Sequence, residues 1–232
     1  MNLAQTALGL RDYIQSWRRR LHQYPELSLQ EVQTTQALAE ELDRLGIPVI
    51  RFPGHTGLIG VIAGSFPGKT VLLRADIDAL PMEEAQDLEH RPFCEGFSSQ
   101  NPGMMHACGH DCHTAIGLET AKILSALKNH LHGTVKFLFQ PGEEGTRGAY
   151  AMVENGHLDG VNYFAGTHVA PDDKEDDGDI TPGTYGSLAT CKYNVFFHGQ
   201  AAHAGGFPEE GKNAVLAAAH AAVGLSGIAR HS

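Results

Sequence analysis

The feature that most constrains this fold is an alternation of short apolar β-type runs with helical segments. Runs rich in Val, Ile, Leu and Phe cover residues 48–52, 57–63, 70–75, 134–139 and 161–165. Helical spacing of apolar residues is clear at 113–128, and a shorter helix is expected at 148–154. Strands that alternate with helices favour an α/β layer. We therefore predict an α/β fold with a mixed, mostly parallel sheet flanked by helices.

Two helices are expected before the first strand. Residues 6–22 have a helical pattern, and a second helix ends at Gly46. Ser28 and Glu31 have the spacing of a capping box, which predicts that the second helix starts there.

The pattern changes near residue 185, which we predict to be a domain boundary. An acidic run, PDDKEDDGD at 171–179, precedes it and is interpreted as a solvated loop. A long β-rich run at 184–198 and an Ala-rich helical segment at 209–222 follow. Residues 1–185 would then form one domain, and 186–232 the beginning of a smaller α+β domain.

Charge, hydropathy and cysteine usage argue against several classes of binding partner and several cellular locations. The formal net charge of −10 argues against nucleic acid or an anionic membrane, because both require basic patches. The N-terminus lacks the features of a signal peptide, and no stretch is apolar enough to span a bilayer. Two of the four cysteines lie in a His-rich run, which favours metal chemistry in a reducing compartment. We expect a soluble, cytoplasmic protein.

Candidate metal ligands follow three of the predicted strands. Asp76 and Asp78 follow 70–75, Glu143 and Glu144 follow 134–139, and His168 follows 161–165. In open α/β sheets the ligand crevice lies beyond the carboxyl ends of the strands. Asp, Glu-Glu and His at one sheet edge therefore predict a metal site.

The His-rich run at 105–113 is the strongest local signal. Cys108 and His110 are two residues apart, so in extended backbone both side chains can reach one metal centre. A thiolate can also bridge two cations. The alternative is a closed structural zinc site made by Cys108, His110, Cys112 and His113, which would leave no open coordination position. In the first interpretation, His106 and His113 have supporting roles.

Glu143 and Glu144 are adjacent, so their side chains diverge in extended backbone. One carboxylate can bind a metal while the other takes a proton from water and delivers it to a leaving amine. This division of roles suits hydrolysis.

Five motifs stand out along the chain. They are RADIDALP (74–81), GMMHACGHDCHT (103–114), FQPGEEGTRGA (139–149), GTHV (166–169) and AAHAGGFPEEGKNA (201–214). Together they resemble the amidohydrolase branch of the dinuclear metallo-aminoacylase and carboxypeptidase superfamily. Within that branch, the p-aminobenzoyl-glutamate hydrolases are the group that the sequence resembles most. The resemblance covers nearly the whole chain.

The resemblance implies a role for each matching residue. Cys108 would bridge two divalent metal ions, Zn or Mn, and His110, Glu144 and His168 would be terminal ligands. The metal-bridging hydroxide would be the nucleophile. Three more residues would act in catalysis: Glu143 as general base and acid, Asp78 as support for the metal site, and His203 on the scissile carbonyl or the oxyanion.

The resemblance also implies a metallopeptidase-like catalytic domain, followed by the start of a lid or dimerisation domain. The expected reaction is cleavage of the amide bond of small N-acyl-amino acids, aromatic-acyl ones such as p-aminobenzoyl-glutamate foremost. A homodimer or a dimer of related subunits is implied at full length. Family members continue further and supply one more His ligand, so the chain is expected to be truncated and inactive alone. An inactive metal-binding module and a structural zinc protein are the alternatives.

Overall fold

The computed structural model describes residues 2–145, 148–170, 178–181, 183 and 193–228. The chain forms two compact units, Met1–Asp172 and Asp173–Ser232. The predicted domain boundary near residue 185 and most of the predicted acidic loop lie outside the described residues.

The first unit contains six α-helices and five strands among its described residues. The helices are α1 (Leu3–Leu8), α2 (Arg11–Gln23), α3 (Val32–Arg44), α4 (Arg91–Cys94), α5 (His110–Ala126) and α6 (Gly148–Glu154). The strands are β1 (Val49–Arg51), β2 (Leu58–Ala63), β3 (Phe66–Asp76), β4 (His132–Gln140) and β5 (Tyr163–Gly166).

The five strands form one mixed sheet in the order β1-β2-β4-β3-β5. Strand β3 pairs in parallel with β4 and with β5, whereas β1–β2 and β2–β4 are antiparallel. The register places Asp76 beside Gln140, and Arg74 beside Gly166. The carboxyl ends of β3, β4 and β5 therefore meet at one edge of the sheet. The predicted α/β class with a mixed sheet flanked by helices is confirmed.

Each face of the sheet packs against helices. The larger core joins α2, α3 and α5 to one face, and Leu38, Leu42 and Leu118 are fully buried in it. Each such leucine contributes roughly 1.5–3 kcal/mol to folding. A smaller cluster around Leu138 and Met152 seats α6 on the other face. Helices on both faces hold the edge that carries the candidate ligands.

Two local predictions for the N-terminal helices are wrong. The predicted helix at 6–22 is interrupted at Gly9 and Leu10, so α1 and α2 are separate. The predicted capping box at Ser28 does not form, because its Oγ donates to Asp78 instead. The first turn of α3 is capped by Glu26, whose carboxylate accepts from the backbone N–H groups of residues 33 and 34.

The second unit contains a 3₁₀ turn at Pro208–Glu210 and helix α7 (Ala214–Ser226) among its described residues. Asn213 caps α7 by accepting from the Leu216 N–H at 3.0 Å. Much of the predicted β-run at 184–198 lies outside the described residues, and 193–198 belongs to no strand. Across the described ranges, no helix is long and apolar enough to cross a membrane.

Candidate metal centre

The candidate ligands of the first unit come together at the shared edge of β3, β4 and β5. Asp76 ends β3, and Asp78 follows two residues later. Glu143 and Glu144 follow β4 after a Pro-Gly turn, and His168 lies two residues beyond β5. The structure therefore brings together the strand-end residues that the sequence pattern singled out.

At Gly109 the backbone turns from the His-rich run into helix α5. The helix therefore begins at His110, whereas the sequence pattern predicted a start at residue 113. The Gly109 φ of +87° lies in the left-handed region that favours glycine. A Cβ at this position would lie 2.3 Å from Cγ2 of Val169. Glycine is therefore needed both for the turn and for the close approach of the segment that carries His168.

His110 is completely buried at the centre of the site, and its hydrogen bonds define its tautomer. Nδ1 lies 2.8 Å from the main-chain oxygen of Asp78 and 3.2 Å from Oδ1 of the same residue. Both atoms are acceptors, so Nδ1 carries the proton and donates. Nε2 has no hydrogen-bond partner in the part of the chain that the structure describes, and its lone pair points into the site.

The two glutamates approach His110 without bonding to it. Nε2 of His110 is 3.8 Å from Oε1 of Glu144 and 3.9 Å from Oε2 of Glu143. The Glu144 side chain is 20% exposed, whereas that of Glu143 is 41% exposed. Glu144 Oε1 is buried and lacks a hydrogen-bond partner among the described residues. The pair thus presents one inner and one outer carboxylate.

Cys108 and His168 also lie close to His110. Sγ of Cys108 is 3.4 Å from Nε2 of His168 and also contacts Glu144. His168 Nδ1 donates to the main-chain oxygen of Val169 at 2.6 Å, which leaves its Nε2 free to accept. Cys108, His110 and His168 form one group of converging donor atoms, and His110, Glu143 and Glu144 form another.

Asp78 ties the two ligand-bearing loops together. Its Oδ2 accepts from Ser28 Oγ at 2.6 Å and from the Glu144 N–H at 2.9 Å, while its Oδ1 faces His110. Burial raises the pKa of Asp78, but the hydrogen bonds from His110 and Ser28 outweigh it and lower the pKa to about 2. Asp78 is therefore an ionised acceptor.

The donor set fits a divalent cation. Two nitrogen or oxygen ligands on one tetrahedral zinc ion lie about 3.3 Å apart, only slightly closer than the His110–Glu144 separation. Two of the converging atoms, His110 Nε2 and Glu144 Oε1, are buried without hydrogen-bond partners in the described ranges. Burial and the carboxylates of Glu144 and Glu143 raise the pKa of the Cys108 thiol to about 12. A cation would satisfy these atoms and offset the negative charge.

The four residues of the alternative structural zinc site do not form such a group. Both ring nitrogens of His113 are engaged, Nδ1 with Asp76 at 2.5 Å and Nε2 with the Val169 N–H at 2.9 Å. Cys112 is absent from every converging donor group found among the described residues. The geometry therefore favours the strand-edge ligand set.

Sequence reasoning missed the contacts of the 26–31 loop with the site. Glu31 is fully buried, and its Oε1 accepts from the Gly142 N–H at 2.8 Å, just before the glutamate pair. Its other oxygen accepts from Thr56 Oγ1. Burial raises the pKa of Glu31. These hydrogen bonds lower it by a smaller amount, so the pKa stays above its ordinary value. The motif PELSLQE carries a clue in its acidic residues, but the partners of Glu31, Gly142 and Thr56, are distant in sequence.

A buried ion network, also missed, joins α2 to the start of α5. His22 Nδ1 lies 2.9 Å from Asp111 Oδ2, and its Nε2 lies 2.8 Å from Glu84 Oε1. Burial lowers the pKa of His22, but the two carboxylates together raise it by a larger amount. The net shift of the pKa is therefore upward. Arg18 bonds to the same oxygen of Asp111 at 3.0 Å, and His90 bonds to Glu84 at 2.7 Å. The network holds the residue that follows His110.

His203 lies in the second unit and is exposed there. Its Nδ1 accepts from the Gly205 N–H at 3.1 Å, within the 3₁₀-containing loop that precedes α7.

Two relatives of known name match most of the chain. Indole-3-acetyl-aspartic acid hydrolase of Enterobacter agglomerans is 42% identical over 93% of this chain and 58% of its own length. One of the subunits of p-aminobenzoyl-glutamate hydrolase from Escherichia coli is 39% identical over 100% of this chain and 62% of its own length. The chain thus spans about three fifths of these curated relatives.

Solved structures agree with this relationship. A Bacillus subtilis protein described as a dinuclear metal-binding peptidase of the M20 family is 42% identical, with a TM-score of 0.65 over 71% of this chain and 44% of that one. The aminobenzoyl-glutamate utilization protein of Klebsiella pneumoniae is 28% identical, with a TM-score of 0.68 over 100% of this chain and 62% of that one. The model of peptidase family M20/M25/M40 matches residues 72–230. The chain belongs to peptidase family M20/M25/M40.

Proposed function

We propose that this chain is the metal-binding part of an amidohydrolase that cleaves N-acyl-amino acids with two divalent cations. The observation that carries the proposal is the position of His110 Nε2. His110, whose buried Nε2 has no hydrogen-bond partner among the described residues, belongs to one group of converging donors with the glutamate pair and to another with Cys108 and His168.

Cys108 would bridge the two cations, since it contacts both His168 and Glu144. His110, Glu144 and His168 would be the terminal ligands. Mixed thiolate, imidazole and carboxylate ligation suits Zn²⁺, and the imidazole and carboxylate ligands are also compatible with Mn²⁺. When bound, the cations would lower the pKa of water and polarise the scissile carbonyl.

Glu143 would be the general base and acid. It is the more exposed of the two carboxylates, so a substrate and a water molecule can reach it. It would accept the proton of the attacking water and then deliver it to the leaving amine, so that the amide C–N bond breaks without charge build-up on nitrogen.

One residue from each unit would support the reaction. Asp78 would keep Nδ1 of His110 protonated and hold the main chain of Glu144, so that the donor atoms keep their positions. His203, from the second unit, would donate to the scissile carbonyl oxygen and stabilise the oxyanion.

Small aromatic-acyl amino acids are the proposed substrates, p-aminobenzoyl-glutamate foremost. The proposal rests on the names of the relatives, which specify an aminobenzoyl-glutamate and an indole-acetyl-aspartate. A homodimer or a dimer of related subunits is proposed for the protein at full length, in the cytoplasm.

The roles of the two glutamates are separable by experiment. In the protein at its full natural length, Glu143→Gln should keep its metal but lose turnover by several orders of magnitude, roughly 10²- to 10⁴-fold. Glu144→Gln should lose metal as well as turnover. Glu154→Gln, an exposed glutamate at the end of α6, is the matched control.

Elemental analysis and the release of p-aminobenzoate from p-aminobenzoyl-glutamate are the two measurements. Retention of full metal content in Glu144→Gln together with its loss in Glu143→Gln would reverse the assignment. Cleavage of aliphatic acyl-amino acids alone, with no release from the aromatic substrates, would overturn the proposed substrate class.

A further inference from the structure

His113 is a buried imidazole with a defined tautomer. It follows His110 by one turn of α5, and 2% of it is exposed. The Val169 N–H can only donate, so Nε2 of His113 must present a lone pair to it across 2.9 Å. Nδ1 therefore carries the proton and donates to Asp76 Oδ1 at 2.5 Å.

The hydrogen bond to Val169 acts on the peptide unit that carries His168. Val169 follows His168 directly, and its main-chain oxygen accepts from His168 Nδ1. The His113 and His168 rings are also in contact, with centroids 4.4 Å apart. Because His168 lies beyond the end of β5 in an exposed segment, a buried acceptor under Val169 restrains both its main chain and its ring.

Asp76 connects this contact to the rest of the sheet edge. It ends β3, is 1% exposed, and its Oδ2 lies 2.8 Å from Arg74 Nη1. Thr114 Oγ1 donates to its main-chain oxygen at 2.8 Å, which ties α5 to the same strand. A continuous chain of contacts thus runs from β3 through α5 to the segment after β5.

From this geometry we infer that His113 is a positioning residue for His168, and that the lone pair on its Nε2 is the feature that matters. The inference rests on the metal site proposed above. His113 itself contributes no ligand atom, because both of its nitrogens are engaged by Asp76 and Val169.

Two substitutions separate the two hydrogen bonds of His113. The side-chain oxygen of Gln reaches about as far as Nε2, so His113→Gln keeps an acceptor for Val169 and loses the donor to Asp76. The side-chain nitrogen of Asn reaches about as far as Nδ1, so His113→Asn keeps the donor to Asp76 and loses the acceptor.

Binding of Co²⁺ alone, followed by its visible absorption, is the readout. His113→Asn should weaken Co²⁺ binding by roughly 10- to 100-fold, as loss of such supporting contacts does, while His113→Gln stays within about threefold of the wild type. Chelator-treated samples are compared by thermal unfolding, to separate an effect on binding from a general loss of folding. Equal losses of affinity in the two variants would overturn the inference.

A double-mutant cycle tests whether His113 acts through His168. If it does, His113→Asn should cause no further loss of Co²⁺ affinity in a His168→Ala background. An undiminished loss in that background would assign His113 a general structural role and refute the inference. Cys108→Ala tests the metal site separately: unchanged Co²⁺ binding there would refute the proposed function, whereas a loss there without one in His113→Asn would refute this inference alone.

Discussion

Replacing His22 with glutamine should destabilise the fold, and the loss should depend on pH. Both ring nitrogens of His22 face carboxylates, Asp111 at 2.9 Å and Glu84 at 2.8 Å, so the buried ring is an imidazolium with two charge-assisted hydrogen bonds. Each such bond contributes about 1.5–3 kcal/mol. Desolvation of the ring opposes them and is the largest single influence on its pKa. A net loss of about 3 kcal/mol at pH 6 is expected, within the range for breaking a buried pair.

The sign of the pH dependence follows from the raised pKa of His22. Its folded-state pKa lies above the ordinary value of 6.5, so its contribution to stability is fully present below pH 6.5. That contribution is lost as the pH rises through the folded-state pKa. The difference in unfolding free energy between wild type and His22→Gln should therefore shrink from pH 6 towards pH 9.

Urea unfolding followed by circular dichroism, with chelator present, measures this difference. His55→Gln is the matched control, because His55 is exposed and its replacement should cost less than about 0.5 kcal/mol. A difference between wild type and His22→Gln that stays constant from pH 6 to pH 9 would refute the imidazolium assignment.

Two other substitutions probe the supports of the site. Gly109→Ala should destabilise the fold by about 1–2 kcal/mol because the backbone there is left-handed, and by more because the new Cβ overlaps Val169. Gly54→Ala, at φ +76° with open space around it, should show the backbone cost alone. Thermal unfolding compares the two, and equal losses would contradict the predicted overlap. Glu31→Ala removes the acceptor that holds Gly142, so it should cost about 1–3 kcal/mol and lower metal content, which denaturation and elemental analysis would measure. Unchanged metal content in that variant would mean that Glu31 does not position the glutamate loop.

The convergence of the strand-end residues was predictable because it depends on one property of the sheet. Parallel strands bring their carboxyl ends together, so Asp78, Glu144 and His168 could be assigned to one edge once 70–75, 134–139 and 161–165 were identified as strands. The local signal is strong in each case, since an apolar run is followed by an ionisable residue.

Contacts between residues that are distant in sequence were not predictable. His22 and Asp111 are 89 positions apart, and no periodicity relates them. Ser28 shows why the capping box failed: a hydroxyl can cap a helix or bind a buried carboxylate, and the ionised Asp78 is the stronger acceptor. The start of α5 was placed three residues late because the left-handed turn at Gly109 leaves no helical pattern before it.

X-ray absorption at the zinc edge tests the central claim, that Cys108 and its neighbours hold a divalent cation, most directly. Zinc-loaded wild-type protein should show a sulfur neighbour at about 2.3 Å together with nitrogen or oxygen neighbours at about 2.0–2.2 Å. Cys108→Ala should lose the sulfur shell, and Cys94→Ala, which replaces an exposed cysteine, should keep it. A zinc-loaded wild type with only nitrogen and oxygen neighbours, or a sulfur shell that survives in Cys108→Ala, would contradict the account.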